Sequence, residues 1–214
     1  MNAILSLLAP LWSAAFTLWG TDVSWLELAA FVLAVAMVLL NMQVNPIAWP
    51  LAIASSLLYV ALFWNSRLYG DAALQVFFAL IAVWGWWQWR RGRQADGSTL
   101  QVRALRPAQR WRLVVVLALA WPAPGLFLKT CTNTDVPWWD AFPTAASVIG
   151  QWLLGRKYLD NWAAWIIVNV VSVALFAYKA LWLTTLLYAL FTVLSMLGWR
   201  AWRAQMALRA TAPG

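Results

Sequence analysis

The stretch Asn45-Pro46-Ile47-Ala48-Trp49 recurs as Asn161-Trp162-Ala163-Ala164-Trp165, which aligns position 45 with position 161. A second pair, Gly85-Trp86-Trp87-Gln88-Trp89 and Gly198-Trp199-Arg200-Ala201-Trp202, aligns position 85 with position 198. These alignments, called the Asn45/Asn161 register and the Gly85/Gly198 register below, are reconciled by a gap of three residues. In a hydrophobic chain, a duplicated unit is typical of transporters, many of which bind their substrate near the bilayer midplane where two repeats meet.

The composition identifies the class of protein. Of the 214 residues, 64% are hydrophobic, 10% are charged and 19 are tryptophan. A soluble domain cannot bury that much apolar surface, whereas a bilayer accepts it on every side of a helix. Apolar runs long enough to cross about 30 Å of hydrocarbon predict seven spans. They are residues 24–42, 47–65, 71–89, 112–130, 138–154, 161–178 and 181–199.

These spans predict an all-α polytopic membrane protein with two parallel three-helix repeats joined by a linker helix, a 3+1+3 arrangement. Three helices end on the side of the membrane opposite to their start, so a second copy in the same orientation needs one more crossing. The span at 112–130 has no partner in the repeat, and its Pro122-Ala123-Pro124-Gly125 suits a linker. The predicted parts are an N-terminal interfacial helix or unremoved leader at 1–23, a first repeat at 24–90, a basic cytoplasmic loop at 91–111, the linker, a second repeat at 131–202 and a tail at 203–214.

The basic residues predict the orientation. With these spans, twelve Lys and Arg residues lie on one side of the membrane, and Arg67, Lys129 and Lys179 lie on the other. Because positively charged loops stay in the cytoplasm, we expect the 91–111 loop and the C-terminus inside, and the N-terminus outside, a bacterial inner membrane. A nucleic-acid patch is the rival interpretation of the arginine-rich loop, but topology already accounts for it, and no nucleic-acid partner is predicted.

The chain has no histidine, one cysteine and no GxxxxGK[ST] loop. These absences exclude histidine-based catalysis, the usual zinc sites and ATP hydrolysis at a P-loop. No Asp, Glu, Lys or Arg lies near the middle of a predicted span, where proton relays and ion-coupled pumps place such charges. We therefore expect a passive carrier that is not an enzyme and uses no cofactor or metal. An intramembrane enzyme and a binding subunit that needs an ATPase partner are the alternatives.

Four residues of the predicted sixth span form one face of a helix. At about 100° per residue, Trp162, Trp165, Asn169 and Ser172 lie within an arc of roughly 80°. Such a face either lines a substrate cavity or packs against a neighbouring helix. In the Asn45/Asn161 register, Trp49 matches Trp165, which favours a substrate site that includes both indoles.

Gln75, near the start of the third predicted span, is the next candidate, and Tyr188 occupies the matching position of the second repeat. An uncharged amide at this position has two interpretations. It forms a hydrogen bond with a substrate amide or ribose hydroxyl, or it bridges two helices. Five of the seven acidic residues, Asp22, Glu27, Asp71, Asp135 and Asp140, lie on the predicted outer side of the membrane. Such an acidic mouth concentrates cations, and indoles bind an aromatic cation with about 0.5–2 kcal/mol per ring.

Trp162, Trp165 and Asn169 together resemble the WxxWxxxN signature of the Pnu family of bacterial vitamin transporters. The stretches Leu74-Gln75-Val76-Phe77-Phe78 and Arg156-Lys157-Tyr158 are similar to the same family. The resemblance extends over residues 24–202.

The resemblance implies a 3+1+3 fold like that of SWEET sugar transporters, a homotrimer in membrane lipid, and facilitated diffusion of a vitamin that a cytosolic kinase then traps by phosphorylation. Nicotinamide riboside is the expected substrate, with thiamine or riboflavin as alternatives. By the family motif, Trp162, Trp165 and Asn169 line the substrate site and Gln75 supplies a hydrogen bond. In the Asn45/Asn161 register, Pro46 stands at the position of Trp162, which predicts an asymmetric site.

Overall fold

The computed structural model describes residues 9–18, 20–65, 69–94, 97–131, 135–179 and 182–211. Most of these residues are helical, as the composition predicts. The helices are α1 (Trp25–Met42), α2 (Ala48–Asn65), α3 (Tyr69–Arg91), α4 (Pro107–Ala120), α5 (Pro122–Cys131), α6 (Pro137–Gly155), α7 (Asn161–Tyr178) and α8 (Trp182–Ala210). The chain divides into two compact units, Met1–Trp86 and Trp87–Gly214, called unit 1 and unit 2 below.

The described part of the N-terminal segment is not the interfacial helix that the sequence predicts. It begins with a 3-10 turn, Ala9–Trp12, and continues as an antiparallel hairpin of β1 (Ala14–Leu18) and β2 (Thr21–Ser24). The hairpin turn contains Gly20 at φ +78°, a backbone conformation that glycine adopts without steric cost. Residues 1–8 lie outside the described residues.

Unit 1 contains the packed pair α1 and α2. The helix α1 begins after Ser24, whose hydroxyl accepts a hydrogen bond from the backbone N–H of Glu27 at 3.1 Å, as N-cap residues do. The two helices are joined where the Ser55 hydroxyl donates to the carbonyl of Ala30 at 2.9 Å. Because Ala30 is fully buried, this bond satisfies a polar group where the two helices are in direct contact.

Four described helical segments are long and apolar enough to cross a bilayer by length and composition: Trp25–Met42, Ala48–Asn65, Pro107–Cys131 and Asn161–Tyr178. The helices α3, α6 and α8 are long enough, at 23, 19 and 29 residues. They are rich in tryptophan, which is amphipathic and typical of the interface. Their crossing of the membrane stays a prediction.

The predicted linker helix begins earlier than the sequence predicts, at Pro107 rather than at 112. It runs through Trp121, which keeps helical angles of φ −56° and ψ −40°, so α4 and α5 are continuous. Its far half packs against α6: the indole N–H of Trp121 donates to the carbonyl of Trp138 at 2.9 Å, and the Trp138 ring lies directly against Gly125.

The helix bounds recur in one constant register, the Gly85/Gly198 register. The helices α2 and α7 begin at 48 and 161 and end at 65 and 178. The ends of α1 and α6, at 42 and 155, have the same spacing, as do the starts of α3 and α8, at 69 and 182. No gap of three residues is needed between the described helices.

The turn before α2 and the turn before α7 share an uncommon backbone conformation at the same spacing. Val44 and Lys157 both have φ +56°, a region that residues other than glycine rarely adopt. Val44 N–H donates to Asn41 and Lys157 N–H donates to Leu154, in both cases at 3.0 Å to the carbonyl oxygen. The Gly85/Gly198 register is therefore the structural one at these helix ends and turns, and the Asn45/Asn161 register predicted from the first pair of stretches is wrong.

The corrected register changes which residues correspond. Trp49 matches Trp162 rather than Trp165, and Ser56 matches Asn169. Pro46 therefore does not stand at the position of Trp162. The first repeat keeps the leading tryptophan of the motif and has a serine hydroxyl in place of the asparagine amide.

Candidate functional site

The motif residues project from α7, which packs against both α6 and α8 within unit 2. Trp162 faces α8. Its indole lies against Gly198, where an added Cβ would come within 2.5 Å of the ring atom Cη2. The ring of Trp202 meets the same indole edge to face, with centroids 5.6 Å apart and an interplanar angle of 88°. Trp162 is consequently 3% exposed and confined from two directions.

Asn169 also faces α8. Its side-chain amide donates to the hydroxyl of Ser195 at 3.2 Å, in a buried contact. That hydroxyl in turn donates to the carbonyl of Phe191, one turn earlier on α8, at 2.8 Å. The chain of two bonds fixes the orientation of the Asn169 amide, and its carbonyl oxygen makes no hydrogen bond to the described residues.

Trp165 lies on the α6 side of α7. An added Cβ at Gly150 of α6 would lie 3.3 Å from the Trp165 ring, and Ser172 is 1% exposed. Helical geometry explains the division, since Asn169 lies about 20° from Trp162 around the axis, and Trp165 about 60°. The face predicted from the sequence thus contacts both neighbours of α7.

Two buried polar atoms at the start of α7 have no hydrogen-bond partner among the described residues. They are the indole Nε1 of Trp162 and the amide Oδ1 of Asn161. The other end of the Asn161 amide donates to the carbonyl of Tyr158 at 2.7 Å, which is the turn role expected of an asparagine there. A buried donor or acceptor without a partner costs about 1–3 kcal/mol, so native proteins keep few of them. The hydrogen-bonding capacity of these two atoms is therefore unused among the described residues.

The other predicted site residues have different surroundings. Trp49, 1% exposed, lies against Gly85 within unit 1, which repeats the contact of Trp162 with Gly198. Gln75 is half-buried on α3. Tyr188 stacks on Phe176 with ring centroids 5.1 Å apart and meets Phe191 edge to face. The structure thus groups Tyr188 with other rings, and its role in a substrate site stays a prediction, as do those of Trp49 and Gln75.

Lys157, in the turn between α6 and α7, contacts both α3 and the loop that follows it. The ammonium of Lys157 donates to the carbonyl of Leu100 at 3.1 Å and lies 5.0 Å from the ring centroid of Trp89. Burial, and to a smaller extent repulsion by Arg209, lowers the pKa of Lys157 below its ordinary value. The indole N–H of Trp89 donates to the carbonyl of Leu154 at 3.0 Å, at the end of α6.

A buried carboxylate, that of Asp160, binds two further groups beside this turn. Asp160, immediately before α7, accepts from the backbone N–H of Leu105 at 2.7 Å and from the Arg110 guanidinium at 2.6 Å. The residue is 8% exposed. It therefore joins the loop after α3, the start of α4 and the start of α7 at one point, close in sequence to Trp162.

Sequence reasoning missed Gly198, Ser195 and Trp202 as neighbours of the motif. Gly198 and Trp202 enter the sequence argument only through the repeat, although a glycine that recurs beside tryptophan indicates close packing against a ring. Ser195 is a hydroxyl inside a predicted span, which is a signal for an interhelical hydrogen bond. Each could have been found by asking which small or polar residues of the last span face α7.

Comparisons with known proteins agree with the motif. Residues 24–204 match the family model described as nicotinamide mononucleotide transporter. The nicotinamide riboside transporter PnuC of Escherichia coli K12 is 26% identical over 193 residues, which cover 79% of this chain and 81% of that protein. The riboflavin/roseoflavin transporter RibM of Streptomyces davaonensis is 28% identical over 166 residues, covering 76% and 77%. A crystal structure of the vitamin B3 transporter PnuC shares the fold, with a TM-score of 0.68 and 22% identity over 84% of this chain and 81% of that one. The resemblance to the Pnu family is confirmed.

Proposed function

The chain belongs to the nicotinamide mononucleotide transporter family, and from this membership we propose that it carries nicotinamide riboside across the bacterial inner membrane. It is a multi-pass membrane protein of a transporter family. The observation that carries the proposal is the placement of the whole motif on α7, where Trp162 and Asn169 are buried against α8 and the half-buried Trp165 lies against Gly150 of α6. The name of the Escherichia coli relative supports the choice of substrate.

Nicotinamide riboside is a flat aromatic cation with a hydroxylated ribose, and α7 offers groups for each part. The indoles of Trp162 and Trp165 provide stacking and cation–π attraction. The N–H of Trp162 has no partner among the described residues and donates to a substrate oxygen. The carbonyl oxygen of Asn169 accepts from a ribose hydroxyl or the carboxamide N–H, with Ser172 one turn further along α7. Gln75, Trp49 and Tyr188 are proposed as further substrate contacts.

The mechanism we propose is facilitated diffusion by alternating access, made one-way when a cytosolic kinase phosphorylates the vitamin. The constant register between helix bounds supports two repeats joined by α4 and α5, a 3+1+3 plan. The distribution of Lys and Arg supports an outer N-terminus and a cytoplasmic C-terminus. The family resemblance supports a homotrimer.

Riboflavin is the second candidate, because the RibM relative, named as a riboflavin/roseoflavin transporter, has a similar identity. Riboflavin is larger and uncharged, so its binding would depend on stacking rather than on cation–π attraction. Thiamine, like nicotinamide riboside, is an aromatic cation that is phosphorylated after entry.

Uptake by the purified chain decides between the substrates. Labelled nicotinamide riboside, riboflavin and thiamine are offered to liposomes that contain only this protein, without an ion gradient or nucleotide. We expect nicotinamide riboside to equilibrate and an excess of the unlabelled vitamin to block it. Entry of riboflavin alone would transfer the proposal to the second candidate, and entry of none would favour a binding subunit with a missing partner.

Replacing Asn169 by alanine is expected to lower nicotinamide riboside affinity about 2- to 13-fold, because a lost hydrogen bond costs about 0.5–1.5 kcal/mol. The matched control is Val170→Ala, an exposed neighbour on α7. We expect the control to retain most of the affinity. Unchanged affinity in Asn169→Ala would remove Asn169 from the substrate site.

A further inference from the structure

The helices α7 and α8 leave a groove of about 440 Å³ on the surface of unit 2. Its walls are apolar and include Ile167 of α7 and Met196 of α8, both about half exposed. At its end, Trp199 is followed by Arg200 and Arg203. The groove is thus amphipathic along its length, apolar for most of it and cationic at one end.

The groove is separate from the proposed substrate face. On α7, Ile167 and Asn169 are two residues apart, which places them about 160° apart around the helix axis. Ile167 is 52% exposed, whereas Asn169 is 5% exposed. Neither Trp162 nor Asn169 lines the groove, so a ligand there would contact α7 through Ala163, Ile166 and Ile167.

The two arginines carry positive charge without a carboxylate partner in the described part of the chain. The ion pairs found there are Arg110–Asp160 and Lys179–Asp140. Arg200 and Arg203 are three residues apart, so both guanidiniums lie on one side of α8 at the mouth of the groove. Both side chains are exposed.

One of the two arginines, Arg200, is not a requirement of the repeat, whereas Arg203 corresponds to Arg90 of the first repeat. In the Gly85/Gly198 register, Met196 corresponds to Val83 and Trp199 to Trp86, which are conservative matches. Arg200 corresponds to Trp87, so the first repeat has an indole where the second has a guanidinium. The fold of a repeat therefore does not need a charge at this position.

We propose that this groove binds one anionic phospholipid of the surrounding bilayer. The headgroup phosphate lies between Arg200 and Arg203, and an acyl chain runs along Ile167 and Met196. Basic pockets between membrane helices bind anionic headgroups in this way, and Trp199 suits the interfacial level between head and tail. A soluble anion would use only the arginines, whereas a phospholipid matches both the charged end and the apolar walls.

The proposal is tested by native mass spectrometry of the detergent-purified protein with phosphatidylglycerol and with phosphatidylcholine of the same acyl chains. The variant R200Q/R203Q is expected to bind phosphatidylglycerol about 10- to 30-fold more weakly, from about 1 kcal/mol per basic residue, and phosphatidylcholine unchanged. The control R91Q/R112Q removes the same charge from exposed arginines outside the groove and is expected to bind as the unchanged protein does. The readout is lipid binding, so it is independent of the proposed substrate.

A second variant keeps the arginines and fills the groove. Ile167→Trp, at an exposed position, is expected to weaken phosphatidylglycerol binding as well, and it decides the question if R200Q/R203Q does not fold. Equal losses in R200Q/R203Q and R91Q/R112Q, unchanged binding in both groove variants, or full competition by glycerol phosphate would overturn the proposal. A change of oligomeric mass in R200Q/R203Q would also overturn it, because a second copy of the chain would then occupy the groove.

Discussion

Replacement of Gly198 by alanine is expected to lower the free energy of unfolding by about 1–3 kcal/mol, the usual cost of overpacking, and to lower uptake as well. The added methyl group would lie 2.5 Å from two atoms of the Trp162 ring, well inside van der Waals contact. The indole cannot move away freely, because Trp202 meets it on another side. Uptake per mole of reconstituted protein and the melting temperature in detergent are the measurements.

A double variant separates packing from binding. In Gly198→Ala with Trp162→Phe, the smaller ring lacks the indole atoms that the new methyl group meets, so the melting temperature should recover. Uptake should not recover, because the indole N–H is gone. Leu197→Ala, an exposed neighbour, is the control and should leave both measurements nearly unchanged. Normal uptake and melting in the Gly198→Ala single variant would show that Trp162 is not confined as described.

The same contact exists in the first repeat, where the Trp49 ring lies directly against Gly85. Gly85→Ala is therefore expected to destabilise the protein in the same way. Its effect on uptake is the informative part, since Trp49 is only a predicted substrate contact. Loss of stability with normal uptake per folded protein would limit Trp49 to packing.

The sequence was sufficient for the membrane class, the positions of most helices and the motif on α7, because each depends on local composition or spacing. It failed on the register of the repeat. Matching Asn45 to Asn161 and Trp49 to Trp165 places similar residues in line, yet the backbone repeats in the other register. Val44 and Lys157, which share φ +56°, differ in chemistry, so their side chains do not show that they correspond. The shared backbone conformation of the two turns is therefore better evidence for the register of the repeat than identical residues are.

The neighbours of the motif were beyond the sequence for a different reason. Periodicity places Trp162 and Trp165 on one broad face, but it does not say that one indole meets α8 and the other α6. Only the packing of three helices shows that Gly198 makes room for one ring and Gly150 for the other. The N-terminal hairpin is a similar case: an apolar segment reads as helix or strand until pairing partners decide.

The second large effect is expected from Asp160→Ala, in the stability of unit 2. Leu105 is buried with Leu153 and Tyr158, so its backbone N–H is shielded from water and depends on the Asp160 carboxylate at 2.7 Å. A hydrogen bond to a charged group contributes about 1.5–3 kcal/mol. The pair with Arg110 adds about 0.2–1 kcal/mol, because the Arg110 side chain is 52% exposed.

The two contributions can be measured apart. Asp160→Asn keeps an oxygen for the Leu105 N–H and loses the charge that Arg110 meets, so it should cost much less than Asp160→Ala, for which a fall of roughly 5–10 °C in melting temperature is expected. Arg110→Gln should resemble Asp160→Asn. Asp140→Ala is the matched control, because it breaks an ion pair with Lys179 whose two side chains are 27% and 21% exposed. If Asp160→Ala melted like the unchanged protein, the loop after α3 would not be held by this carboxylate.

The first repeat has no carboxylate at the corresponding position, because Ile47 lies there before α2. The two repeats therefore differ in two ways. They differ in the motif on the second helix of the repeat, and they differ in how the start of that helix is held.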